Sequence, residues 1–333
     1  MPRLAVTCLV TACLITGVGL TGCGTGQLAS QNQDPTQVTA NPVPAGPATS
    51  PPQTGPVPGT VLPAPPAQHT AYDPDTGVLG LAHEAGLTLL DIRGGGPPRE
   101  LALPAPPSHL RASAPGHLLA ALPDADQVVD IDVRTGTTTP TPVPGGPIDA
   151  VRAGDQLAVS LRSDRSLTLL PSNRKTPGFE DTRLFTAGPE VLVLDRPHTS
   201  LTPVRLDNGD KEAALRAGRG ATEGVTDRYG RLLVTDTRSE QLLAFSTDPL
   251  VLKQRYPVHG APYGIAYDPR RDLAWVTLTG TNQVVGYDVA GGEPQERYRL
   301  PTVHQPNGVA VDPGSGKVLV SSASGAGVQV VQP

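Results

Sequence analysis

The most constraining feature of this 333-residue chain is a short strand pattern that recurs about every 40 residues over most of its length. Each repeat contains an apolar segment, a polar turn and a second apolar segment rich in Val and Leu. The second segments are "LTLLDI" at Leu87, "VVDIDV" at Val128, "LTLLPS" at Leu167, "LTPVRL" at Leu201, "LLAFST" at Leu242, "VVGYDV" at Val284 and "VQVVQP" at Val328. One such repeat cannot bury a core in water, so neighbouring repeats have to pack on one another.

Seven repeats of this length predict an all-β fold, a seven-bladed β-propeller in which each blade is a small antiparallel sheet. A further strand precedes each pair and ends in turns such as "AYDPDTG", so we interpret Asp73, Asp268 and Asp312 as turn formers. The abundance of Gly (37) and Pro (38) agrees with a turn-rich β protein. Six or eight blades remain alternatives, because the interval between the third and fourth repeats is short.

The last repeat lacks a fourth strand before Pro333, so its sheet needs an outer strand from elsewhere. The segment "TVLPAP", residues 60–65, lies just before the first repeat and resembles "YRLPTV" of the sixth repeat. We expect it to pair with the last blade and close the ring. Its prolines suit an outermost strand, where a missing N–H group is tolerated.

Two repeats carry a family resemblance. The segments "APYGIAYDPRRDLAWVTLTGTNQVVGYDV" and "QPNGVAVDPGSGKVLVSSASGAGVQVV" resemble the blade pattern of the YVTN/NHL-like class of bacterial seven-bladed propellers. The resemblance covers the fold of residues 60–333. It implies no particular activity, because propellers serve as hydrolases, lyases, oxidoreductases and binding platforms alike.

The start of the chain has the pattern of a targeting segment. Arg3 precedes an uncharged run from Leu4 to Leu20, and the run ends in "LTGC" at Cys23. This resembles a bacterial lipoprotein signal peptide with its lipobox. The resemblance implies removal of residues 1–22 and attachment of diacylglyceryl and palmitate chains at Cys23, which would anchor an exported protein to the outer face of the cell membrane, in the cell envelope. The alternative is an uncleaved membrane helix.

Residues 23–58 predict a lipidated cysteine followed by a disordered tether, because Pro, Thr, Gln, Ser and Ala dominate and large apolar groups are few. The alternative is a Pro-rich ligand for a recognition domain. The predicted organisation is therefore a signal peptide over residues 1–22, a tether over 23–58 and a propeller over 59–333.

The charge balance restricts the partners. The chain has 31 acidic and 26 basic residues, a net charge of −5, and no Lys/Arg cluster. This argues against nucleic acid and against electrostatic adhesion to anionic lipid, so we expect membrane attachment through the lipid anchor alone. Cys8 and Cys13 would leave with the signal peptide, which excludes a disulfide framework. We expect a monomer.

Six polar residues precede or begin the predicted innermost strands, where the residues of a propeller surround one mouth of its central channel. A polar ring of this kind could bind a polar ligand or a divalent ion. The aligned residues are His69, His109, Asp149, Glu223, Tyr263 and Asn307. The fourth repeat aligns too poorly to contribute a residue.

Our first hypothesis is a non-enzymatic binding or scaffold module, without a cofactor, for an envelope protein, a glycan or a small ligand. The alternative rests on "TEGV" and "PNGV", which resemble the elements that carry the metal-binding Glu and Asn of gluconolactonase-like propeller enzymes. That resemblance implies a divalent metal such as Ca²⁺ at Glu223 and Asn307 and a lactonase or hydrolase activity. The chain lacks the nucleophile elbow and the phosphate-binding loop.

Overall fold

The computed structural model describes residues 42–333, which form seven four-stranded antiparallel sheets arranged in a ring. This confirms the predicted seven-bladed β-propeller and excludes six or eight blades. In each blade the first strand of the repeat is innermost and the strands follow one another outward.

The strands of the first four blades are as follows. Strand β1 is Thr60–Leu62; blade 1 contains β2 His69–Asp73, β3 Val78–His83, β4 Gly86–Asp91 and β5 Arg99–Leu101. Blade 2 contains β6 His109–Ala114, β7 His117–Leu122, β8 Gln127–Asp132 and β9 Thr138–Pro142, with a short 3₁₀ turn at Pro123–Ala125. Blade 3 contains β10 Pro147–Ala153, β11 Gln156–Leu161, β12 Ser166–Leu170 and β13 Arg174–Pro177. Blade 4 contains β14 Thr182–Ala187, β15 Glu190–Asp195, β16 Ser200–Arg205 and β17 Leu215–Arg216.

The remaining three blades repeat the same arrangement. Blade 5 contains β18 Ala221–Thr226, β19 Arg231–Asp236, β20 Gln241–Thr247 and β21 Leu250–Pro257. Blade 6 contains β22 Pro262–Asp268, β23 Leu273–Leu278, β24 Gln283–Asp288 and β25 Gln295–Pro301. Blade 7 contains β26 Pro306–Val311, β27 Val318–Ser322 and β28 Val328–Val331, with β1 as its outer strand.

The core lies between neighbouring blades. Leu87 of blade 1 and Leu118 and Ile131 of blade 2 belong to one buried cluster, and each is fully shielded from solvent. Burying one such side chain stabilises the fold by about 1.5–3 kcal/mol. Trp275 is also core, as a mid-strand position predicts, and Gly286 on the neighbouring strand leaves room for its ring.

The ring closes as the sequence predicts. Strand β1 pairs antiparallel with β28, so that Thr60 lies opposite Val330 and Leu62 opposite Val328. Gly59 precedes β1 at φ +83°, where a Cβ atom would collide with the carbonyl oxygen of Val330. The last blade thereby gains a fourth strand from residues that precede the first blade.

The predicted turn formers are confirmed. The Asp73 carboxylate accepts a hydrogen bond from the amide of Thr76 at 2.9 Å, and Asp268 accepts one from the amide of Arg270 at 2.9 Å. Asp312 accepts one from Gly314 at 3.1 Å. These bonds replace ladder bonds that the chain loses where it reverses.

Residues 43–52, which we call the strap, depart from the predicted free tether. They form no strand, yet Ala45 and Ser50 are buried and side chains of the propeller hydrogen-bond the strap backbone. Further along, the carbonyl oxygen of Pro58 accepts a bond from Gln329 at 2.9 Å. Composition suggested disorder because the segment has few large apolar groups, but polar contacts with the propeller order it instead.

The predicted signal peptide and Cys23 lie outside the described residues. Within residues 42–333, no helix has the length and apolar character needed to cross a bilayer.

Candidate functional site: the polar channel

The centre of the ring contains a cavity of about 430 Å³ to which the innermost strand of every blade contributes. Its walls carry charged, aromatic and amide side chains together with apolar residues such as Val151, Ile265 and Val309. The principal polar residues are His69, His109, Arg111, Arg152, Arg183, Glu223, Tyr263 and Asn307.

Five of the six residues predicted for the channel mouth line this one cavity: His69, His109, Glu223, Tyr263 and Asn307. Asp149 does not line it. Its side chain is 1% exposed and lies within the wall, because a guanidinium, an imidazole and two backbone amides all donate to its carboxylate. The structure therefore assigns Asp149 a supporting position behind the cavity surface.

The contacts of Asp149 form a buried ion cluster. Its carboxylate accepts bonds from Arg111 Nη2 at 2.5 Å and His109 Nδ1 at 2.8 Å, and from the amide of Leu184 at 2.8 Å. Burial alone would raise the pKa of Asp149, but the charge of Arg111 and the bond from His109 hold it well below its usual range. Asp149 is therefore ionised, and it orients His109 and Arg111.

A second ion pair lies in the part of the cavity wall that blades 4 and 5 form. Arg183 Nε donates to both carboxylate oxygens of Glu223, at 3.0 and 3.1 Å, and its Nη1 donates to the carbonyl oxygen of Thr182 at 3.1 Å. Burial opposes the charge of Arg183, but Glu223 raises the pKa of its guanidinium above the ordinary value. Each of these two channel arginines thus has its own carboxylate.

The two channel histidines contact each other edge to face, with ring centroids 5.2 Å apart. Burial lowers the pKa of both, and the pKa of His69 lies well below 6.5 because His109 and Arg183 add to the effect. Both rings are therefore neutral at pH 7. Among residues 42–333, no side chain or backbone group hydrogen-bonds the ring of His69.

Tyr263 supplies a neutral donor. Burial and the neighbouring Glu223 raise the pKa of its hydroxyl, so it stays protonated. Within the described part of the chain its hydroxyl has no hydrogen-bond partner, and it lines the cavity beside Asn307. These groups offer unsatisfied hydrogen-bonding capacity to a ligand.

A second cavity of about 300 Å³ adjoins the first and shares His69, Arg183, Tyr263 and Asn307 with it. It lies at the end of the channel where the innermost strands begin. Its wall includes Pro47 of the strap, together with Asp181 and Arg196, whose side chains are 2.8 Å apart. The strap therefore covers this mouth of the channel.

The predicted metal ligands Glu223 and Asn307 line the same cavity, but their polar atoms are already engaged. Arg183 holds Glu223, and Asn307 Oδ1 accepts a bond from Gln305 Nε2 at 2.9 Å. Nowhere in residues 42–333 do three or more His, Cys, Asp or Glu side chains converge as metal ligands. A guanidinium 3.0 Å from Glu223 also disfavours a second cation there.

Sequence reasoning missed Arg111 and Arg183. Arg111 follows His109 by two residues on β6, and alternate residues of a strand share a face, so the pattern contained a usable signal. Arg183 belongs to the fourth repeat, which did not align. Only the pairing of Arg183 with Leu194 across β14 and β15 establishes its register.

No protein-family model matches the chain, and no curated protein matches it either. Solved structures do match. A chain of the mitotic checkpoint complex is 12% identical with a TM-score of 0.71, and the match covers 90% of this chain and 99% of that one.

Two lyases share the architecture. A streptogramin B lyase is 15% identical over 82% of this chain and 95% of that chain, with a TM-score of 0.66. A catalytically inactive virginiamycin B lyase from Staphylococcus aureus with quinupristin is 12% identical over 80% and 94%, with a TM-score of 0.64. At such identities the likeness shows the fold alone: the chain has the propeller architecture that a chain of the checkpoint complex and the two lyases also have.

Proposed function

We propose that this protein is a membrane-anchored lipoprotein of the cell envelope whose propeller binds a small, neutral, hydroxyl-rich ligand, such as a saccharide unit, in the polar channel. The observation that carries the proposal is the pairing of each of two channel arginines with a carboxylate, Arg111 with Asp149 and Arg183 with Glu223, around a cavity of about 430 Å³.

The charge balance of the wall favours a neutral ligand. Arg111, Arg152 and Arg183 are neutralised by Asp149, Asp130 and Glu223, and both histidines are uncharged at pH 7, so an ionic ligand would find no unpaired counter-charge. Burying an unpaired charge is costly. A hydroxyl group both donates and accepts hydrogen bonds, so it can use guanidinium and carboxylate edges at once.

The size of the cavity and the nature of its side chains agree with this class of ligand. A volume of about 430 Å³ lies within the range of small-molecule sites. Phe185 and Tyr263 add ring surfaces to the same wall, against which the C–H face of a sugar ring packs.

A panel of ligands tests the proposal on protein without its signal peptide. Neutral mono- and disaccharides should raise the melting temperature, whereas the matching uronic acids and sugar phosphates should not. The double variant Arg183→Ala/Glu223→Ala should lose the response, because it removes donor and acceptor together. The control Asp164→Ala/Lys175→Ala removes an exposed ion pair outside the channel and should keep the response. A response confined to charged compounds, or unchanged in the channel variant, would contradict the proposal.

The His109–Asp149 contact favours a second candidate function, catalysis in the channel. Asp149 accepts from His109 Nδ1, which leaves Nε2 of a neutral imidazole as a potential general base. The gluconolactonase-like alternative additionally needs a divalent metal at Glu223 and Asn307.

Metal analysis and melting curves with Ca²⁺, Mn²⁺ and Zn²⁺ distinguish the two enzyme versions. A shift that Glu223→Ala abolishes would support the metal-dependent lactonase. If no metal is bound and no metal ion changes the melting temperature, the lactonase alternative is excluded. Activity assays would then test the metal-free role of His109 as a general base, with His109→Gln as the inactive control.

A further inference from the structure

The strap is held by side chains from blades 4 to 7, and almost all of these bonds reach its backbone. Arg238 Nη2 donates to the carbonyl oxygen of Val43 at 2.8 Å, and Arg196 Nη2 donates to that of Ala45 at 3.0 Å. The carbonyl oxygen of Pro51 accepts from Asn282 Nδ2 at 2.7 Å. Hydrogen bonds to the backbone hold the segment in an extended conformation and place little restriction on most of its side chains.

Gln305 makes the most specific contact. Its Nε2 donates to the carbonyl oxygen of Ala48 at 2.9 Å, and its Oε1 accepts from the amide of Ser50 at 3.0 Å. The amide group thus pairs with the strap as a neighbouring strand would. Gln305 adopts φ +54°, an uncommon conformation for a residue with a side chain, and Asn282 Oδ1 accepts from its backbone amide at 3.1 Å.

Two strap positions select for size. Ala45 is 3% exposed and Ser50 is 6% exposed, and the hydroxyl of Ser50 donates to the carbonyl oxygen of Thr279 at 2.6 Å. The prolines between and beyond them pre-set an extended backbone, which lowers the entropy lost on binding.

We propose that this mouth of the propeller is a peptide-binding groove for extended, proline-rich chains with small residues at the two buried positions, and that the strap is its built-in occupant. A proline-rich segment from a second chain binds the same groove once the strap leaves it. Because Pro47 is part of the wall of the cavity of about 300 Å³, vacating the groove also opens that end of the channel. The groove adjoins the proposed ligand site, and peptide binding to it is tested without the channel ligand.

The test uses a full-length chain that lacks only residues 43–52 and a synthetic peptide of residues 41–53, NPVPAGPATSPPQ, followed by calorimetric titration. The peptide should saturate the shortened protein below about 1 mM, the effective concentration that a short tether provides. It should bind the intact chain at least about tenfold more weakly, since the strap competes for the groove.

Three matched controls sharpen the result. In the shortened protein, Gln305→Ala should weaken binding about tenfold or more through the loss of two hydrogen bonds. Lys253→Ala, on the outer strand of blade 5, should leave binding unchanged. A peptide with Ala45→Arg should not bind, because that position has no room for a long side chain.

Absence of saturation by a cooperatively folded shortened protein, equal binding to both proteins, or indifference to Gln305→Ala would each overturn the proposal. If the shortened protein does not fold, amide hydrogen exchange in the intact chain decides. Gln305→Ala should then accelerate exchange at Ser50 at least about tenfold, and unchanged exchange would equally overturn the proposal.

Discussion

Arg183 is the residue on which the chemistry of the channel most depends. It is nearly buried, it holds Glu223 by both carboxylate oxygens, and it belongs to both cavities. A buried guanidinium without its carboxylate is costly, so removal of Glu223 alone destabilises more than removal of both partners. We therefore expect the double variant Arg183→Ala/Glu223→Ala, used to test ligand binding, to be more stable than Glu223→Ala alone.

The channel histidines make stability depend on pH. Burial lowers the pKa of His69 in the folded chain well below the value of 6.5 that it has when unfolded. Between these two values the unfolded chain binds a proton that the folded chain does not, so stability falls as pH falls below about 6.5.

We expect the free energy of unfolding to fall between pH 7 and pH 5, because the folded chain binds a proton at His69 less readily than the unfolded chain does. Denaturant titrations at several pH values should show a shallower slope for His69→Gln than for the unmodified protein. His259→Gln, which removes an exposed histidine that does not line the channel, should retain the full slope. Identical slopes for the unmodified protein and His69→Gln would show that His69 is not buried in a neutral form.

At the scale of elements, the segment before the first blade does two separate things. Strand β1 completes blade 7, and the strap covers a channel mouth. The first role removes a sheet edge and so stabilises the whole ring. The second role involves mainly hydrogen bonds and few apolar side chains, so it contributes less to stability.

A pair of deletions separates these roles. Deleting residues 42–58 removes the strap but keeps β1, whereas deleting residues 42–65 removes both. We expect the longer deletion to cost about 3 kcal/mol more in the free energy of unfolding, because it breaks the β1–β28 ladder and exposes the apolar contacts of Leu62. Chemical denaturation of the two proteins measures the difference, and equal stabilities would mean that β1 does not close the ring.

At the scale of the whole molecule, the seven blades act together because each contributes a side chain to one channel. A polar site of this kind needs a rigid ring around it, and the apolar clusters between neighbouring blades provide that rigidity. The proposed lipid anchor would keep this binding domain at the membrane without any charged contact to lipid.

The anchor predicts a simple fractionation result. Cys23→Ala should release the protein from the membrane fraction, since the acyl chains are the only attachment that we propose. Arg238→Ala, a surface change on the propeller, should remain with the membrane and serves as the control. Retention of the Cys23→Ala protein in the membrane fraction would argue for an uncleaved membrane helix instead.

The amino-acid sequence alone predicted seven blades, with six or eight as alternatives that the structure excluded. It determined the turn formers and the origin of the closing strand, because each follows from local pattern and period. It also identified five residues of the channel wall, since the same position of each repeat points to the same axis. The lipid anchor at Cys23 stays a prediction from the sequence.

Only the tertiary structure decided which side chains of the site hydrogen-bond and form ion pairs with one another. Arg183 comes from the repeat that did not align, and Asp149 lies behind the surface because its bonds come from β6, β10 and β14, which are distant in the chain. The ordered strap could not be predicted from the sequence either. Composition predicts disorder because the segment has few apolar groups to bury, but it carries no information about the groove of polar side chains that four blades form in the folded protein. Long-range hydrogen bonds and charge pairs depend on which elements become neighbours, and that is a property of the folded ring.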